Sequence, residues 1–169
     1  MKKLFLSIAL FSSLFMASCG GDKKEGETTE GAATVADLVA GEYDLTAGGL
    51  PFVIKAPNDP AITSPVAGSY ELKCSELFQM QINEGAGDLE LVKSDIKTNE
   101  VFKFKRFIAE EANGVFYESE FQGKPSFHFF VVQKIGSSVY EIQDNKAKQF
   151  TEEETKAMFE SAKSIKAKA

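Results

Sequence analysis

Hydrophobic and polar positions alternate along much of the chain. In "LPFVIKAP", Leu50, Phe52, Ile54 and Ala56 share one side, the period of a strand with one buried face. The following "NDPAITSP" is punctuated by Asn58-Asp59 and two prolines and predicts a loop. In "SYELKCSELFQMQINEG", Tyr70, Leu72, Cys74, Phe78, Met80 and Ile82 share a parity that Glu, Lys and Gln mostly avoid, which predicts one strand closed by Gly85 and Gly87. The period then changes. Leu89, Val92 and Ile96 stand at i, i+3 and i+7 behind Asp88, predicting a short capped helix.

Four strands follow in quick succession. "VFKFKRFIAE" sets Phe102 and Phe104 against Lys103 and Lys105. Asn113-Gly114 is a hairpin signal leading into "VFYESEF", where Val115, Tyr117 and Phe121 oppose Glu118 and Glu120. Gly123 to Ser126 turns the chain into "FHFFVVQKI", and Gly136 to Ser138 turns it into "VYEIQD". In "TEEETKAMFESAKSIKAKA", Thr151 and Glu154 have capping-box spacing and Met158, Ala162 and Ile165 form an apolar stripe, so one helix is expected to the end of the chain. The order is strand, strand, helix, four hairpin-linked strands, helix. It predicts an α+β domain over residues 42–169, with a mainly antiparallel sheet of about six strands covered by helices. "FHFFVV" is polar only at His128, as expected of a central strand covered on both sides.

The front of the chain has another character. Met1-Lys2-Lys3 is a positive n-region, and Leu4–Met16 is an apolar run of 13 residues, short of the ~20 that cross a bilayer as a helix. Met16-Ala17-Ser18-Cys19 resembles the bacterial lipobox. The resemblance implies a lipoprotein signal peptide over residues 1–18, a diacylglycerol on Cys19, cleavage after Ser18 and acylation of the new N-terminus. Several acyl chains make a stable anchor where one alone is marginal. After Cys19, residues up to 41 hold no apolar residue larger than alanine before Val35, which predicts a disordered tether over residues 19–41. Asp22, Glu25, Glu27 and Glu30 leave two readings open, a surface-routing acidic stretch or a solvated spacer. Gly20 stands where some species place an inner-membrane-retaining Asp, so the expected location is the cell envelope at the outer membrane, periplasmic or surface-exposed.

Charge and cysteine count narrow the classes. Loss of Lys2 and Lys3 with the leader would make the chain two units more negative than its full-length −6. Such an acidic chain does not point to nucleic acid as a partner. With Cys19 lipidated, Cys74 has no partner for an internal disulfide. On the apolar parity of its strand it reads as a small hydrophobe rather than a reactive thiol. The element order, with a proline-flanked first strand and a terminal helix after a meander, resembles the PsbP-like fold over roughly Glu42 to Lys168. That likeness implies a binding or assembly-assisting role and carries over no site residue.

No chemical constellation stands out in the linear sequence. The single histidine, His128, reads as buried and hydrogen-bonded to backbone rather than catalytic. Metal ligands and cofactor motifs are not in evidence, and no cofactor is expected. Glu110 and Glu111 read as solvated, and Glu118 and Glu120 as cross-strand partners of Lys103 and Lys105. Fifteen phenylalanines, with no tryptophan, make either a dense core or an apolar ligand pocket. The sequence therefore predicts a non-enzymatic, lipid-anchored binding or assembly module, held at the membrane through Cys19 and meeting a protein partner. The alternative is a carrier or sensor of a small hydrophobic ligand in a Phe-lined pocket.

Overall fold

The computed structural model describes residues 41–168. The signal peptide, Cys19 and nearly all of the expected tether lie outside the described residues. The elements are β1 (Gly41–Asp44), β2 (Phe52–Ala56), β3 (Ala61–Val66), β4 (Ser69–Ser75), β5 (Phe78–Glu84), α1 (Leu89–Thr98), β6 (Lys103–Glu111), β7 (Gly114–Phe121), β8 (Lys124–Ile135), β9 (Ser138–Asp144), α2 (Glu152–Lys163) and β10 (Lys166–Ala167). Seven strands form an antiparallel sheet in the order β3-β4-β5-β9-β8-β7-β6, and β1, β2 and β10 form a second, three-stranded sheet. The α+β class holds, with ten strands in two sheets where about six in one were expected.

Each departure has a local cause. "NDPAITSP" was expected to be a loop, yet Ala61–Val66 is an edge strand. Pro65 falls in the register shift between Thr63 and Val66, where the ladder asks for no N–H. "SYELKCSELFQMQINEG" is two strands, not one. Glu76 and Leu77 make a two-residue turn closed by Ser75↔Phe78, and a register shift at Cys74 then pairs Leu72 with Met80 and Tyr70 with Ile82. Even-numbered residues therefore face even-numbered ones, so the apolar parity runs through the turn unbroken. The C-terminal helix stops at Lys163, and the last residues pair with β2 as Lys166↔Val53 and Ala167↔Phe52. Ser164 ends the helix by accepting from Lys55 N at 2.8 Å while its hydroxyl donates to Ser161 O at 2.6 Å.

The hairpins were in place but not always with the expected chemistry. Ala112 and Asn113 form the β6–β7 loop, and Gly114 is already a strand residue paired with Glu111. The left-handed turn lies instead at Gln122-Gly123, with φ of 51° and 79°, the signature of a type I′ hairpin. β8 consequently starts at Lys124 and contains Pro125, which is tolerated because β9 pairs with β8 only from Phe130 onward.

The large sheet is covered on both faces. On one, Phe116, Phe129, Val131 and Ile142 pack with Phe52 and Ile54 of β2 and with Met158, Phe159 and Ala162 of α2. On the other, Val115, Tyr117 and Phe130 meet Ile96, Leu89 and Val92 of α1. Alternation along β7 and β8 thus sends adjacent residues into two separate cores, which is why Val115–Tyr117 and Phe129–Val132 read as continuous apolar runs. α2 is fixed at each end. Thr151 and Glu154 make the expected capping box, and Gln133 Nε2 donates to the final carbonyls of Ala162 and Lys163 at 3.2 and 3.1 Å. Thr151→Ala is expected to cost about 1 kcal/mol, measurable as a shift in the urea midpoint with an unchanged slope.

Candidate functional site

The α1 face of the sheet holds the chemistry. Ser119, Ser126 and His128 point to this side from neighbouring positions of β7 and β8. His128 does not hydrogen-bond to backbone, as was expected; it bonds to two side chains. Its Nε2 lies 2.9 Å from Ser126 Oγ and its Nδ1 lies 2.8 Å from Asp144 Oδ2. Taking Asp144 as the carboxylate assigns the proton to Nδ1 and leaves Nε2 to accept from the serine hydroxyl. Asp144 reaches across because it is the last residue of β9, where β8–β9 pairing has ended at Phe130↔Gln143. Its second oxygen accepts from Phe129 N at 3.0 Å.

This is the connectivity of a serine–histidine–aspartate relay, but it is closed. Ser126, His128 and Asp144 are 3 %, 1 % and 0 % exposed. Phe102 sits edge-on to the imidazole at 4.9 Å and stacks on Phe121 at 4.8 Å, and Tyr117 lies 5.4 Å from the same imidazole. Every fully enclosed side-chain polar atom among the described residues has a hydrogen-bond partner. As arranged, the relay holds β8, β9 and the Asn99–Phe102 loop together rather than presenting a nucleophile.

Beside it, between α1 and the sheet, is a cavity of about 200 Å³. Ile96, Tyr117 and Phe130 form its buried floor, Phe102 its wall toward His128, and Asp95, Asn99 and Lys146 its exposed rim. Asn99 Oδ1 accepts from Val101 N and Phe102 N at 3.0 and 2.8 Å, which pins the loop carrying Phe102.

No family model, curated protein or solved structure matches this chain.

The remaining residues singled out in the sequence fall elsewhere. Cys74 is half-buried against the α2-side core, at a register shift in β4, and its thiol donates weakly to Asn58 O at 3.5 Å. Burial pushes that thiol up to about 11. The unfolded thiol titrates at ~8.5, so the folded state holds the proton more tightly. Stability from this source is complete below ~8.5 and is lost as pH rises toward about 11. Two results are expected: an alkaline loss of stability that is smaller in Cys74→Ala, and native thiol labelling at pH 8 at least about tenfold slower than in urea.

Among the carboxylates, Glu120 pairs with Lys105 at 2.8 Å as expected, but Glu118 pairs with Arg106 because β6 shifts register between Phe104 and Arg106. Glu110 and Glu111 are not merely solvated. Lys93 reaches Glu110 at 3.5 Å and Lys163 reaches Glu111 at 2.7 Å. Each is an ordinary ion pair at the surface.

Sequence reasoning found His128 but missed its partners. Ser126 had been placed at the end of a turn and Asp144 at the end of a strand, and nothing in linear spacing joins residues 16 apart across β8 and β9. The i, i+2 spacing of Ser126 and His128 on one strand face was the available signal.

Proposed function

We propose that this is a lipid-anchored cell-envelope protein, held through Cys19 at the outer membrane, whose domain is a non-catalytic binding or assembly module meeting a protein partner. The anchor rests on the order of positive n-region, short apolar run, small residues and cysteine in residues 1–19. Support for the non-catalytic reading comes from the closure of Ser126, His128 and Asp144, the set of side chains best suited to activate a nucleophile, beneath aromatic rings. A PsbP-like fold belongs to the same reading; a sheet covered on both faces and a terminal helix after the β6–β9 meander support it. The second reading, a small-ligand carrier or sensor, is favoured by the cavity beneath α1.

Expression in a bacterial envelope tests both halves of the main reading. The wild-type chain should incorporate labelled fatty acid and sediment with membranes, and Cys19→Ala should do neither. A fluorophosphonate probe should leave the folded protein unlabelled. Labelling that disappears in Ser126→Ala would replace the binding module with a serine hydrolase.

A further inference from the structure

The cavity beneath α1 carries more polar chemistry than a greasy carrier site needs. Its floor is apolar, with Ile96, Tyr117 and Phe130 at 7 %, 4 % and 7 % exposure. Tyr117 nevertheless brings a hydroxyl to that floor, and no protein group hydrogen-bonds to it among the described residues. A phenol this buried normally finds a partner. Since every fully enclosed side-chain polar atom is satisfied, this hydroxyl keeps some exposure, and the cavity that Tyr117 lines offers it a partner.

The rim supplies one charge of each sign. Asp95 and Lys146 both line the cavity, and neither makes an ion pair among the described residues. The amide of Asn99 is oriented by its two backbone bonds through Oδ1, which leaves its NH₂ to donate. Gln143 adds a second amide. A lone lysine with Asp95 on the same rim suits a singly charged carboxylate that carries its own cation better than a phosphate, whose greater negative charge Asp95 would repel. A volume of about 200 Å³ lies below the ~300–1,000 Å³ of most small-molecule sites, so the ligand is small.

We infer that this cavity binds a free amino acid with an apolar side chain. The carboxylate is held by Lys146, Asn99 and the Tyr117 hydroxyl, the ammonium by Asp95, and the side chain lies on Ile96, Phe102 and Phe130. The inference deepens the small-ligand reading by naming its ligand class, and it does not depend on the anchor. Phe102 is shared between the cavity wall and His128, so an occupant presses on the ring that roofs the relay.

Titration calorimetry on the full chain tests this, with L-leucine and L-phenylalanine as probes and 3-phenylpropionate, phenethylamine and dodecanoate as comparisons. Saturable binding of an amino acid is expected, at least tenfold weaker for the compounds lacking either charge. Tyr117→Phe, which keeps the ring, and Lys146→Met, at an exposed position, should each weaken it at least tenfold while the thermal midpoint of Lys146→Met stays put. Equal binding of 3-phenylpropionate or phenethylamine overturns the two-charge assignment, and unchanged binding in both variants overturns the site. Binding of dodecanoate alone overturns the amino-acid inference while keeping the carrier reading. Binding of none of the five overturns both.

Discussion

Asp144→Ala is expected to destabilise the domain by about 3–5 kcal/mol, the range for removing one partner from a buried charged network. The carboxylate is 0 % exposed and accepts from His128 Nδ1 and Phe129 N. Truncation strands both donors in a region closed by Phe102 and Tyr117, and each unsatisfied buried donor costs about 1–3 kcal/mol. Asp144→Asn keeps one oxygen and so one of the two bonds, and its loss should fall well short of alanine's. Urea denaturation of the full chain measures both, with near-ultraviolet circular dichroism reporting the aromatic cluster. A loss below about 1 kcal/mol for Asp144→Ala would mean that water reaches the network, and the description of a closed relay would fail.

Elements with one buried face and a local cap were legible in the sequence. α1 begins behind Asp88, whose side chain accepts from Leu91 N, and α2 begins with the capping box, both at the expected residues. Leu50, Phe52, Ile54 and Ala56 are all 0 % exposed, as their alternation implied. What escaped was information that alternation does not carry. The register shift at Cys74 offsets the parity change of a two-residue turn across the β4–β5 hairpin, so Glu76-Leu77 left no break in the pattern. β3 lies on an edge and is largely exposed, so it needs little apolar signal, and its proline is admitted by a bulge. The terminal strand β10 exists through pairing with β2, more than a hundred residues earlier. The candidate site was least legible for the same reason. Asp95, Tyr117 and Lys146 come from a helix, a strand and a loop, and only the packing of α1 on the sheet brings them together.

Gly114 and Phe159 test whether packing or turn geometry chose a residue at a hairpin. Gly114 is not among the residues with positive φ, so its backbone does not require glycine. A Cβ there would lie 2.9 Å from Val131 Cγ2, 3.0 Å from Phe130 O and 3.2 Å from Phe159 Cε2. Phe159 is 2 % exposed, with Phe116 and Phe129 at 6.0 and 6.2 Å between ring centres and Lys163 Nζ 4.6 Å above its ring. Phe159→Ala is expected to cost about 3–5 kcal/mol through the cavity it leaves between α2 and the sheet. Gly114→Val is expected to cost about 1–3 kcal/mol by overpacking. In the double variant the new valine methyls enter space vacated by the ring, so the combined loss should be smaller than the sum, by roughly 0.5–3 kcal/mol of coupling. Urea midpoints of the four proteins supply the cycle. Strict additivity would assign the glycine to the neighbouring strand alone, to Val131 and the Phe130 carbonyl, whereas coupling assigns it also to the close approach of α2 and makes the β6–β7 hairpin part of the same packed unit as the terminal helix.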